Sequence, residues 1–103
     1  MLFGLTPVLV RGPSMAPTLR DGDAVLVRHG GRRPRPGDVV AARFRSRPDL
    51  LVIKRVVRPA GSGWWLEGDN EFVADDSRTF GVAEVEARVL LRWWPRPGRL
   101  PAR

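Results

Sequence analysis

Leu50-Leu51-Val52-Ile53-Lys54-Arg55-Val56-Val57 is the stretch that decides how the chain folds. It is β-branched and apolar, with turn-forming residues at Arg47–Asp49 before it and Ala60–Gly63 after it, which predicts a strand over 50–58. Alternation puts Val52, Lys54 and Val56 on one face and Ile53, Arg55 and Val57 on the other. Similar runs lie at 5–11, 24–28, 38–45, 64–67 and 82–94, with further turn signals at Arg20–Asp23 and Gly30–Gly37. No run shows sustained helical periodicity with caps at both ends, and Val82–Arg92 is the one ambiguous segment. Short strands at this spacing predict a mainly β domain. A chain of 103 residues has room for one such domain and one modest core, here residues 1–94. Residues 95–103, rich in Pro, Gly and Arg, read as a disordered basic tail.

Composition narrows the chemistry. Hydrophobic residues make up 43% of the chain, enough for a folded globule. There is no Cys, so a disulfide framework, a thiolate nucleophile and a Cys-based metal site are all excluded. The charge of +7 raises the question of nucleic acid, with arginines grouped at Arg28, Arg32, Arg33 and Arg35 and again at Arg92, Arg96, Arg99 and Arg103. No recognition helix, stacking module or zinc-finger spacing accompanies them, so no specific nucleic acid is expected. The apolar stretch Met1–Val10 is broken by Thr6 and Pro7 and falls short of the roughly 20 residues a spanning helix needs. It also lacks the charged region and cleavage site of a secretory signal. These features predict a protein without a transmembrane segment, soluble and cytoplasmic, or at most resting on a membrane surface.

Of eighteen basic residues, seventeen are Arg and only Lys54 is Lys. Arg stays protonated at every accessible pH, whereas a desolvated Lys can lose its proton. An amine between Val52 and Val56 on a buried face would be desolvated; on an edge strand it would instead reach out to water. Upstream, Gly12-Pro13-Ser14-Met15-Ala16-Pro17-Thr18-Leu19 reads as a tight turn presenting a serine between two strands. His29, the only histidine, precedes Gly30-Gly31 and reads as a turn residue, though a triad would have to be built around it. Ser-Lys variants of the triad logic need only one nearby neutral amine, and Lys54 is the sole candidate.

Gly12–Leu19 resembles the nucleophile box of type I signal peptidases and related Ser-Lys proteases, and Lys54-Arg55-Val56-Val57 resembles their general-base box. Gly68-Asp69-Asn70, followed by Asp76-Ser77-Arg78 and Gly81, resembles their C-terminal box. The resemblance implies a compact signal-peptidase-like catalytic β domain without the large second β domain. It implies Ser14 as nucleophile, Lys54 as general base and the Ser14 backbone N–H as oxyanion donor. Gly68, Asp69, Asn70, Asp76 and Arg78 would support the site, Asp69 and Asn70 chiefly as turn formers. For Asp76 and Arg78 an ordinary surface ion pair is the competing reading. Met15, Pro17 and Leu19 would shape the groove for an extended peptide.

Two departures from the family stand out. Gly12 and Ala74 occupy positions where relatives often carry a hydroxyl that assists the dyad. More narrowly, Gly63-Trp64-Trp65-Leu66-Glu67-Gly68-Asp69-Asn70 resembles the maturation proteases of nickel-type superoxide dismutase. That resemblance implies a dismutase precursor with an N-terminal leader as partner, and a protease needing neither metal nor cofactor. Strand alternation predicts that one Trp of each pair, Trp64-Trp65 and Trp93-Trp94, packs inward, the alternative being contact with a membrane surface.

Overall fold

The computed structural model describes residues 4–102. Six strands form one antiparallel sheet: β1 (Leu5–Leu9), β2 (Ala24–His29), β3 (Val39–Phe44), β4 (Arg47–Ala60), β5 (Gly63–Glu67) and β6 (Ala83–Trp94). A single helical turn, α1 (Ser77–Phe80), precedes β6. The spatial order is β1-β2-β6-β3-β4-β5, and the sheet curls until β5 meets β6 at Trp64 and Ala83. The mainly β architecture read from the sequence is the one observed.

The ambiguous segment 82–92 belongs to a strand because β6 pairs with β2, β3 and β5 at once. Tertiary pairing of that extent overrides any local helical preference. The Arg47–Asp49 stretch, expected as a turn, lies inside β4, whose start pairs with Phe44. The chain reverses at Arg45-Ser46 instead. The turn α1 is nucleated by Asp76, which caps it by accepting from the Arg78 N–H at 3.1 Å. Phe80 then packs on Phe44 with ring centroids 5.2 Å apart.

Two apolar clusters lie on opposite faces of the sheet. Val10, Met15, Leu19, Val25, Val27, Val39, Ala41, Ile53 and Ala87 form the first. Val40, Ala42, Phe44, Val56, Leu66 and Ala83 form the second. The run Val39-Val40-Ala41-Ala42 feeds both by alternation, which is why all four residues are buried. Met15 and Leu19 are fully buried here, so the structure places them in the core and not along a peptide groove. Burying each contributes about 1.5–3 kcal/mol, which fixes the serine turn to the sheet.

One further expectation is corrected, and the tail has contacts of its own. Arg92 and Gly98 exchange backbone hydrogen bonds of 2.7 and 3.0 Å. Leu100 packs on the first core and the Pro101 carbonyl accepts from Arg55. A Pro-Gly reversal and one apolar anchor outweigh the basic composition. Trp93 and Trp94 are both exposed, because register shifts in the β2–β6 ladder break the alternation there. Trp64 does pack on the second core, with the Arg33 guanidinium 5.0 Å from its ring.

Candidate active site

The turn bearing Ser14 is built from its own sequence. Gly12 adopts φ 81°, a conformation open to glycine, and its N–H donates to Asp21 Oδ1 at 2.7 Å. The Val10 N–H donates to the Asp23 carbonyl, and Asp23 Oδ2 takes the Arg20 N–H. The Arg20–Asp23 stretch, read from the sequence as a turn, therefore holds the serine loop closed through Asp21 and Asp23. From the other side, the Asn70 N–H donates to the Ser14 carbonyl at 2.9 Å and Asn70 Nδ2 to the Pro13 carbonyl at 3.0 Å. Gly68 passes so close to Ser14 that a β-carbon there would overlap the Ser14 carbonyl oxygen.

Lys54 Nζ donates to Ser14 Oγ, the contact that brings the two sequence candidates together. Ser14 is 9% and Lys54 4% exposed, so the amine is enclosed and does not reach out to water. Burial pushes the Lys54 ammonium below its ordinary range, and the negative charges of Asp76 and Asp75 partly oppose that. A buried amine in contact with a hydroxyl can exchange a proton with it. His29 lies exposed at the opposite end of the β1–β2 ladder from the serine turn. Among the described residues, no protein acceptor takes the Ser14 N–H.

Asp69 and Arg55 are the pair that sequence reading missed. Arg55 Nε and Nη2 fork onto Asp69 Oδ1 and Oδ2 at 2.9 and 2.7 Å, both side chains buried. Thr18 Oγ1 donates to the same carboxylate at 2.5 Å, and Arg55 Nη1 to the Gly37 carbonyl. Asp69 is thus a hub joining β4 to the serine loop, more than a turn former. The alternation of β4 was its only signal: Arg55, buried opposite Lys54, required an anion.

Asp76 and Arg78 form a true ion pair at 2.7 Å, with Asp76 1% exposed. Asp76 Oδ2 also accepts the Gly68 N–H at 2.8 Å, so it fixes the segment that abuts Ser14. Burial raises the Asp76 carboxyl, but the Arg78 guanidinium and the two backbone N–H groups outweigh it and hold it below the ordinary carboxylate range. The Ala74 carbonyl is taken by Thr79 Oγ1, and no hydroxyl from position 74 reaches Lys54. Pro17 is exposed and lies outside the groove lining.

The groove itself has a volume of about 470 Å³ and runs to Ser14 and Lys54 between residues 8–14 and 50–54, with Arg47, Val73, Asp75 and Phe80 closing its sides. Its two walls have open strand edges: β1 pairs only with β2, and β5 pairs with β4 only from Arg55 onward. Such edges accept an extended peptide. Among the described residues no cluster of His, Cys, Asp or Glu is placed to hold a metal ion, and no helix is long and apolar enough to cross a membrane.

A small curled sheet with a hydroxyl, an amine and a peptide-sized groove is a peptidase scaffold. The chain belongs to the Peptidase S24-like family, whose model matches residues 5–90. Among its relatives, mitochondrial inner membrane protease subunit 1 of Xenopus tropicalis is 31% identical over 114 residues, covering 85% of this chain and 68% of the relative. Mitochondrial ATP-independent inner membrane protease subunit 1a of Arabidopsis thaliana is 33% identical over 115 residues, covering 84% and 68%. The human subunit 1 is 29% identical, covering 85% and 69%.

Proposed function

We propose that the protein is a serine endopeptidase with a Ser14/Lys54 dyad that removes N-terminal leader peptides from precursor proteins. The contact of Lys54 Nζ with Ser14 Oγ inside a desolvated pocket carries this reading. Neutral Lys54 takes the proton of Ser14 as Oγ attacks the scissile carbonyl, and the resulting ammonium protonates the leaving amine. Lys54 then activates the water that hydrolyses the acyl-enzyme. The Ser14 N–H faces the tetrahedral oxyanion, a donor of a kind worth about 3 kcal/mol. The leader binds as an added strand along the groove walls.

The narrower substrate is a nickel-type superoxide dismutase precursor met in the cytoplasm, and the Gly63–Asn70 resemblance supports it. A second reading, processing at a membrane surface, is favoured by exposed Trp93 and Trp94 and by the inner-membrane names of the relatives. Incubation with the dismutase precursor and with other leader-bearing precursors, followed by N-terminal sequencing of the products, separates the two. Ser14→Ala and Lys54→Ala fold normally and cleave nothing; normal processing by both variants would sink the dyad.

A further inference from the structure

Arg28 and Arg88 stand directly opposite each other across β2 and β6. Like charges so placed repel. The ion pairs among the described residues engage Arg32, Arg43, Arg45, Arg47, Arg55 and Arg78, and neither of these two. Arg88 Nε is buried without a hydrogen-bond partner, the single such side-chain atom among the described residues. A buried donor left without an acceptor is costly.

Both side chains converge on Gly31. A β-carbon there would stand 3.1 Å from Arg28 Nε and 3.3 Å from Arg88 Nη2. Gly30 and Gly31 adopt φ 71° and 80°, so the loop lies against the two guanidinium groups without side chains of its own. Arg88 and this loop line a cavity of about 260 Å³ together with Arg32, Arg33 and Glu86, and Arg28 stands beside the loop outside that lining. Two carboxylates are near, and both are engaged. Asp38 is forked onto Arg32 and takes the Arg35 N–H, while Glu86 pairs with Arg43.

We propose that Arg28 and Arg88 form a binding site for a phosphate group, with the Gly30-Gly31 loop as its floor. An anion between the two guanidinium groups turns their repulsion into attraction, with Arg88 Nη2 and Arg28 Nε the donors nearest the Gly31 loop. Phosphate suits the geometry because its several oxygens can take forked donors from both arginines at once. The site lies at the His29 end of the β1–β2 ladder, whereas Ser14 follows the Leu9 end, so it is separate from the peptide groove. Its ligand is a phospholipid headgroup or a free phosphate compound.

Calorimetric titration of the protein with inorganic pyrophosphate at constant ionic strength tests this. One molecule binds per chain, and Arg28→Met and Arg88→Met each weaken binding tenfold or more, while Arg96→Met does not. Methionine keeps the packing stem; should Arg88→Met fail to fold, Arg28→Met on its own decides. Co-sedimentation with phosphatidylglycerol vesicles identifies the source. Vesicle binding lost in the same variants marks a headgroup site, and vesicle binding absent or unchanged beside lost pyrophosphate binding marks a free phosphate. No pyrophosphate binding by the wild type, binding undiminished in both variants, or binding of duplex DNA in place of pyrophosphate overturns the proposal.

Discussion

Gly68→Ala isolates what the close approach of Gly68 to Ser14 does for catalysis. The added β-carbon would overlap the Ser14 carbonyl oxygen and stand 3.3 Å from Ser14 C and Cβ. Carbon and carbonyl oxygen rest about 3.3 Å or more apart, so the Ser14 peptide has to yield by roughly 1 Å. The same residue carries the proposed nucleophile and the proposed oxyanion N–H, and its carbonyl is anchored by Asn70. A displacement of about 1 Å costs on the order of 100-fold in rate, or about 2.7 kcal/mol of transition-state stabilisation. Gly63→Ala is the control: its β-carbon meets Val82 Cγ1 at 2.5 Å and the Ala83 carbonyl oxygen at 2.6 Å, at the other end of β5. Urea unfolding should show both variants losing about 1–3 kcal/mol from overpacking. Measured per folded molecule on a leader peptide, only Gly68→Ala should lose about 100-fold in kcat/KM. Activity of Gly68→Ala within threefold of wild type, or an equal loss in Gly63→Ala, would refute the reasoning.

Three other perturbations probe the same neighbourhood. The Lys54 pKa lies lower in the folded than in the unfolded chain, so stability rises with pH from the folded value up to about 10.5. Lys54→Met removes that penalty, raising stability at pH 7 and flattening the rise with pH; denaturant melts at pH 7 and pH 10 read this out. The charge of Asp75 raises the Lys54 pKa, so Asp75→Asn should move the acid limb of the kcat/KM profile to lower pH, and an upward move would contradict the assignment. Asp69→Ala strands the buried Arg55 charge and should destabilise by about 3–5 kcal/mol, whereas a loss below about 1 kcal/mol would mean that water already relieves the pair.

Much of this was written locally. The strands announce themselves by β-branched runs and turn residues, and Lys54 stands out because every other cation is Arg. Both follow from properties of neighbouring residues. What escaped depends on contacts between distant ones. Arg55 finds Asp69 fourteen residues on, and Thr18 finds it across 51 residues. Met15 and Leu19 looked like groove residues because they flank the nucleophile, yet the turn Leu19 closes onto Met15 directs both into the core. Trp93 and Trp94 fail the alternation rule where the β2–β6 register shifts, and a bulge leaves no mark in one strand alone.

Lys54 and Arg55 are adjacent cations with opposite assignments, one turned to Ser14 and one to Asp69. A slip of β4 by one residue would exchange them. Asp69 would still find a positive partner, but Ser14 would face a guanidinium that cannot give up its proton. A misregistered molecule would therefore be inert and not a peptidase of altered specificity. On the proposed dyad, the order of two neighbouring residues makes activity conditional on correct assembly of the sheet.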